Sequence, residues 1–110
     1  MDSPEAAADG LTIDRPATLG KVDILIVNYN AGPWLARAVD HLQLGERSML
    51  AVHIVDNGSS DGSLDGLPAS DQIQLDRTGD NLGFAGAIQR ALPSLQRELL
   101  LVLNPDCVIR

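Results

Sequence analysis

Three polar segments of this sequence carry side chains that could bind a ligand, and each directly follows an apolar run. The segments are residues 28–32, 56–63 and 104–106. A carboxylate in the position of Asp56, at the end of an apolar run, can accept a hydrogen bond from a base imide N–H or from ribose hydroxyls. The neighbouring Gly58 lets the backbone approach a ligand closely. A polar turn that caps the next helix explains the same residues, so this segment alone leaves both interpretations open.

The segment Asn104-Pro105-Asp106 holds a second carboxylate, and its direction is restricted by the proline. Because Pro105 fixes the backbone, we expect Asp106 to project from the end of the preceding run in one direction. Mg²⁺ often takes one or two protein carboxylates together with phosphate oxygens, so Asp106 is a candidate ligand for a cation that bridges two phosphates. A strand followed by an ordinary turn explains this segment equally well.

The apolar runs that precede these segments predict buried strands. Val22–Val27, Leu50–Val55 and Leu99–Leu103 are short and apolar, which is typical of strands buried on both faces of a parallel sheet. Ile73–Leu75 predicts a weaker strand between the last two. Each polar segment therefore follows the carboxyl end of a predicted strand.

Two amphipathic helices are predicted between the strands. Apolar residues recur at helical spacing from Trp34 to Leu42, with Pro33 at the predicted helix start, and again from Phe84 to Leu95, where Pro93 should kink or end the helix early. Alternating strands and helices predict an α/β fold, a Rossmann-like parallel sheet of βαβ units with right-handed crossovers. Ligands bind beyond the carboxyl ends of the strands in such sheets, so we expect the three polar segments to meet at one edge.

Composition narrows the classes of partner. The 110 residues carry a formal net charge of −7, which argues against a nucleic-acid-binding protein. An acidic protein that binds an anion needs helix N-termini, backbone amides or a metal ion. The single cysteine excludes an internal disulfide. Residues 1–20 are predicted to be a flexible leader without signal-peptide character, and with no long apolar run a cytoplasmic location is expected.

Four segments, in order along the chain, carry a resemblance to a known family. They are Val27–Asn30, Ile54–Ser63, Asn81–Ala87 and Leu101–Asp106. The resemblance that they carry extends over roughly residues 21–109. On these segments the sequence resembles family 2-type glycosyltransferases of the GT-A fold, in particular the rhamnosyltransferase-like branch. The resemblance implies that residues 21–110 form the N-terminal, nucleotide-sugar-binding half of a GT-A domain.

The resemblance also implies a binding site for a nucleoside-diphosphate sugar. Its residues would be Asn28, Tyr29, Asn30, Asp56, Asn57, Gly58, Asn81, Gly83, Phe84, Asn104 and Asp106. Tyr29 and Asn30 would lie against the base and ribose, and Asp56 would bind the pyrimidine. Asp106 matches the last residue of the family's Asp-x-Asp motif and would bind Mg²⁺ or Mn²⁺ on the diphosphate. Asn104 replaces the first Asp of that motif.

The implied activity is inverting transfer of a sugar, with dTDP-rhamnose as one candidate donor, to a polysaccharide or a lipid-linked acceptor. Such transfer needs a general base. In this family the base lies well downstream of the metal motif, so it is expected beyond Arg110 and no residue here is assigned to catalysis. Residues 85–89 depart from the Gly and paired Asn of the branch, which leaves donor contacts near Gln89 unassigned. A non-catalytic nucleotide-binding module and an inactive fragment are the competing hypotheses.

Overall fold

The computed structural model describes residues 22–95 and 99–105, which form a four-stranded sheet with two helices. The elements are β1 (Val22–Asn28), α1 (Trp34–His41), β2 (Leu50–Asp56), β3 (Ile73–Arg77), α2 (Gly83–Ala91) and β4 (Leu99–Leu103). Short 3₁₀ turns lie at Leu44–Glu46, Ser63–Gly66 and Leu92–Ser94. The predicted leader, residues 1–20, lies outside the described residues. None of the helices in the described ranges is long and apolar enough to cross a membrane.

The sheet is parallel throughout, with strand order β3-β2-β1-β4. At its centre Asn28 of β1 lies opposite Asp56 of β2, and Asp56 lies opposite Arg77 of β3. On the other side Ile26 pairs with Leu103, the last residue of β4. The carboxyl ends of all four strands therefore lie along one edge of the sheet, called the carboxyl edge below. The predicted α/β parallel fold is confirmed.

The two faces of the sheet are covered unequally, because alternate residues of each strand point to opposite sides. One face packs against α1 and the 3₁₀ turn Ser63–Gly66 and forms the larger core. Its buried residues are Val22, Ile24, Ile26, Leu35, Val39, Leu42, Leu44, Leu50, Val52, Ile54 and Leu103. The other face packs Leu25 and Val55 against Ala87 and Ala91 of α2. The two central strands, β1 and β2, are therefore buried between the helices on either face.

The end of the second predicted helix is explained by its proline. Helix α2 ends at Ala91, and Pro93 lies in the 3₁₀ turn that follows, as the missing N–H of proline requires. The first helix ends at His41, before the predicted end, because Gln43 adopts a left-handed conformation with φ of 52°. Both helices are therefore short, with eight residues in α1 and nine in α2.

Strand β4 differs from the prediction that it is buried on both faces. Among the described residues it pairs with β1 alone and forms one edge of the sheet. Leu99, Leu100 and Val102 are exposed, whereas Leu103, beside the core, is buried. The apolar run therefore predicted the strand correctly but not its burial, because the described helices pack over the central strands and leave most of β4 exposed.

Candidate functional site

The carboxyl edge extends the parallel ladder one step beyond the strands. The N–H of Asn57 donates to the carbonyl oxygen of Asn28 at 2.8 Å, and the N–H of Thr78 donates to the carbonyl oxygen of Asp56 at 2.9 Å. These bonds fix the backbone where the polar segments begin. The segments that follow β1 and β2 therefore start from a rigid base.

Asn28 and Asp56, both predicted site residues, meet at the centre of this edge and are almost fully buried. Nδ2 of Asn28 donates to Oδ1 of Asp56 at 2.8 Å, and the N–H of Ser59 donates to Oδ2 of the same carboxylate at 3.1 Å. The Asn28 amide nitrogen also lies 2.9 Å from Oγ of Ser63. Each oxygen of Asp56 thus accepts a hydrogen bond from the protein itself. The capping-turn interpretation of this segment describes the geometry of Asp56 well.

Asn57, the next predicted residue, points to the other face of the sheet. Its Nδ2 donates to the carbonyl oxygen of Gly83, the first residue of α2, at 3.1 Å. Within the part of the chain that the structure describes, its Oδ1 and the Oδ1 of Asn28 are the buried side-chain oxygens without a hydrogen-bond partner. Buried acceptors are normally satisfied. Both oxygens lie at the carboxyl edge and are buried there.

Beyond the contacts of Asn28, three further hydrogen bonds join the polar segments after β1 and β2, and we call these three bonds the loop latch. The N–H of Asn30 donates to Oγ of Ser59, and the N–H of Ser60 donates to Oδ1 of Asn30, both at 2.8 Å. The N–H of Gly32 donates to Oδ2 of Asp61, also at 2.8 Å. The latch makes the two segments one continuous surface.

The charge of Asp61 is stabilised by the same set of contacts. The hydroxyl and the N–H of Ser63 donate to its carboxylate, and together with the N–H of Gly32 they hold the pKa of Asp61 below its ordinary value. These contacts favour the charged form of Asp61, which lies beside a surface predicted to bind an anion. Hydrogen-bond donors of the backbone direct this carboxylate toward the latch.

Two exposed aromatic rings border the carboxyl edge. Tyr29, at the start of the first segment, is 52% exposed, and Phe84, in the first turn of α2, is 51% exposed. Oδ1 of Asn81 accepts the N–H of Gly83 at 2.9 Å and shapes the turn into α2. Gly58 has φ of 87°, a conformation that favours glycine, and a Cβ at this position would lie 3.4 Å from the carbonyl oxygen of Gly79.

The third predicted segment is described only in part. Asn104 follows Leu103 at the carboxyl end of β4 and is exposed, and Pro105 lies in a turn. Asp106, the predicted metal ligand, lies outside the described residues. Among residues 22–95 and 99–105, no group of three or more His, Cys, Asp or Glu side chains could hold a metal ion. The metal site stays a prediction that depends on Asp106.

Sequence reasoning missed a hydrogen-bonded pair elsewhere in the sheet. Oδ1 of Asp23 lies 2.9 Å from Nε2 of His53, on neighbouring strands and on the face that carries α2. The pair lines a cavity of about 650 Å³ together with Gln74 and Ser94. In the sequence, the pair is marked only by one polar residue within each apolar strand. That these two residues are in contact follows only when the register of β1 and β2 is known.

Comparison with known families matches residues 23–110 to the model described as Glycosyl transferase family 2. The chain is 30% identical over 95 residues to N-acetylglucosaminyl-diphospho-decaprenol L-rhamnosyltransferase of Mycobacterium tuberculosis, a match that covers 76% of this chain and 31% of that protein. It is 28% identical over 92 residues to an uncharacterized glycosyltransferase of Nostoc sp., covering 80% and 29% of the two chains. The chain thus spans less than a third of the length of these relatives.

Two solved structures share the fold. Mannosyltransferase PcManGT from Pyrobaculum calidifontis, in complex with GDP-Man and Mn²⁺, superposes with a TM-score of 0.71 at 21% identity, covering 84% of this chain and 29% of that one. TarS of S. aureus superposes with a TM-score of 0.64 at 20% identity, covering 78% and 16%. At these identities the similarity concerns the fold of the sheet and its helices.

Proposed function

Because the chain belongs to glycosyl transferase family 2, we propose that its carboxyl edge binds the nucleoside-diphosphate sugar of a sugar-transfer reaction. The chain corresponds to less than a third of its curated relatives, so the activity of the whole protein is part of this proposal. The observation that carries it is the meeting of two polar segments at the carboxyl edge, fixed by the bond between Asn28 and Asp56 and by the loop latch. This is where ligands bind in parallel α/β sheets.

Asn57 is the group proposed to recognise the base. The carboxylate of Asp56 already accepts a donor on each oxygen, which suits a residue that holds the strand ends together. The Oδ1 of Asn57 is buried and has no partner in the described part of the chain, and an imide N–H of a pyrimidine would supply one once the neighbouring loop moves aside to admit the base. Tyr29 and Phe84 present exposed rings against which a base can pack. In this proposal Asp56 supports the site and Asn57 contacts the ligand.

Asn104 and Asp106 are proposed to face the diphosphate. Asn104 is exposed at the end of β4, beside β1, and so lies on the same edge as the proposed base site. A Mg²⁺ or Mn²⁺ ion bound there would neutralise charge on the departing nucleoside diphosphate. The fold relative PcManGT was solved with GDP-Man and Mn²⁺, which supports a nucleotide-sugar and a divalent cation as the ligands to test.

The donor and acceptor are proposed from the rhamnosyltransferase relative. That protein is named for transfer of L-rhamnose to N-acetylglucosaminyl-diphospho-decaprenol, a lipid-linked sugar. We therefore propose dTDP-rhamnose as the donor to test first, and a lipid-linked glycan, presented at the cytoplasmic face of a membrane, as the acceptor class. The resemblance to one branch of the family is the support for this choice.

Nucleotide binding can be measured on the 110-residue chain by thermal unfolding and titration calorimetry. A nucleotide at a concentration about a hundredfold above its Kd should stabilise the fold by about 2.7 kcal/mol. For a domain of this size that is a rise in Tm of about 10 to 20 °C. We expect dTDP or UDP to give this rise, a larger one with Mn²⁺ than without, and Asp106→Ala to remove the increment due to Mn²⁺.

Asn57→Leu tests the assignment of the base contact. It should weaken nucleotide binding about tenfold, since it removes a hydrogen bond to the ligand. Gln74→Ala, which changes an exposed side chain on β3 away from the carboxyl edge, should leave Kd unchanged. Absence of any nucleotide-dependent shift in the unaltered chain would refute the proposed function. Equal affinity in Asn57→Leu would refute the role of Asn57 alone.

A further inference from the structure

Two polar atoms of Asn30, its backbone N–H and its Oδ1, are engaged within the protein. Its N–H donates to the hydroxyl of Ser59, and its Oδ1 accepts the N–H of Ser60, each at 2.8 Å. The resemblance to the family implied that Asn30 would lie against the base and ribose. The geometry turns the Oδ1 of Asn30 toward the neighbouring segment, where it accepts the N–H of Ser60.

Asn30 also has an uncommon backbone conformation. Its φ is 51°, in the left-handed region, where asparagine is tolerated better than most residues other than glycine. Among the described residues, Gln43 is the other non-glycine residue with positive φ, at 52°. Gln43 lies after α1, in a different part of the chain from the loop latch. Left-handed geometry at Asn30 turns the chain so that its amide and side chain both reach residues 59 and 60.

The residue placed by this turn is Tyr29. It immediately precedes Asn30 and follows Asn28, which is fixed in the buried network with Asp56. The ring is more than half exposed, so little packing holds it in one place. Its orientation depends on the backbone on either side, which is held by the ladder on one side and by the latch on the other.

We propose that Asn30 is a positioning residue that does not contact the ligand, and that the loop latch holds Tyr29 in the orientation in which a base packs against it. The ligand part of this inference rests on the proposed function. The positioning part concerns the free protein, because the latch is complete without a ligand. The two parts can therefore be tested separately.

The chain contains a single tyrosine, which provides a direct probe. Protein grown with 3-fluorotyrosine carries one ¹⁹F label, at Tyr29, and its spectrum reports the environment and mobility of that ring. Asn30→Gly keeps the left-handed backbone and removes the side-chain acceptor of the latch. Asn30→Asp retains an acceptor for the N–H of Ser60. Gln43→Gly is the matched control, since it alters the other left-handed position.

For the free protein, we expect Asn30→Gly to shift and narrow the ¹⁹F signal toward that of a mobile tyrosine. Asn30→Asp should restore most of the original signal, and Gln43→Gly should leave it unchanged. Titration with dTDP and Mn²⁺ should show about fivefold weaker binding for Asn30→Gly, comparable to the loss of one hydrogen bond, and recovery in Asn30→Asp.

An unchanged ¹⁹F signal in free Asn30→Gly would overturn the positioning role, whatever the nucleotide affinity. Weaker nucleotide binding with an unchanged free spectrum would identify Asn30 as a ligand contact and would also overturn it. If the unaltered protein binds no nucleotide, the proposed function fails and the ligand part of this inference fails with it. The free-protein spectra still decide whether the latch positions Tyr29.

Discussion

Replacing Asn28 with alanine removes the donor that joins the ends of β1 and β2. Asn28 is fully buried, and Asp56, which accepts its hydrogen bond at 2.8 Å, is only 3% exposed. A hydrogen bond to a charged group contributes about 1.5–3 kcal/mol, and a buried carboxylate deprived of a donor carries a desolvation cost of similar size. We therefore expect Asn28→Ala to lower the free energy of unfolding by about 3 kcal/mol, which corresponds to a fall in Tm of about 10 to 20 °C.

The loss should be measured by urea unfolding followed by circular dichroism at neutral pH, with thermal unfolding as a second probe. Asn104→Ala is the matched control, because it removes the same side chain from an exposed position at the same edge. The control should change the free energy of unfolding by less than about 0.5 kcal/mol. The difference between the two variants isolates the contribution of the buried network.

A swap of the two side chains tests the geometry more strictly. Asn28→Asp alone places two carboxylates against each other in a buried position and should destabilise the protein more than Asn28→Ala does. Combining it with Asp56→Asn restores an amide donor and a carboxylate acceptor, and the new asparagine can still accept the N–H of Ser59. We expect the double variant to recover most of the stability. A double variant no more stable than Asn28→Asp alone would show that the buried network does not stabilise the fold. A loss of less than about 1 kcal/mol in Asn28→Ala would show the same.

Two further predictions concern charged groups at the surface. Because contacts with Ser63 and Gly32 lower the pKa of Asp61, its contribution to stability is present above the pKa of an unfolded aspartate and is lost as pH falls through the lower folded value. The free energies of unfolding of the original protein and of Asp61→Asn should therefore differ at about pH 7 and converge as the pH falls through the lowered folded pKa of Asp61. A difference that stays constant on acidification would contradict the assignment. Arg90 donates to both oxygens of Asp76 at 2.7 and 3.0 Å, raising its own pKa and lowering that of Asp76. Since both side chains are largely exposed, Arg90→Ala should lower Tm by no more than about 2 °C, and about 0.5 M NaCl should remove the difference; a larger effect that resists salt would point to packing instead.

The fold was largely predictable because its signals are local. Runs such as Val22–Val27 and Leu50–Val55 identify buried strands without knowledge of their neighbours, and Pro93 ends α2 by a constraint of its own ring. The edge position of β4 was not predictable, since an apolar run does not reveal which strand the helices leave uncovered. That property depends on the order of strands, which only the crossovers determine.

The meeting of the first two polar segments was predictable from the sequence, but the contacts within it were not. Sequence placed Asn28, Asp56 and Asn57 at the ends of neighbouring strands, and the structure brings them together there. The sequence could not show that Asn28 donates to Asp56, because this contact depends on the parallel register of two strands whose residues are 28 positions apart. The same limit hid the pairing of Asp23 with His53, whose strands must be aligned before the contact exists.

Much of the surface around the proposed ligand is defined by main-chain atoms. The amides of Asn30, Ser60 and Gly32 form one half of every latch contact, and the carbonyl of Gly83 anchors Asn57. Peptide groups persist through mutation, so this scaffold tolerates replacement of the exposed rings of Tyr29 and Phe84. A mutational library confined to those two positions should therefore retain folded members, and it is the place where we expect preference for one nucleobase over another to be re-engineered.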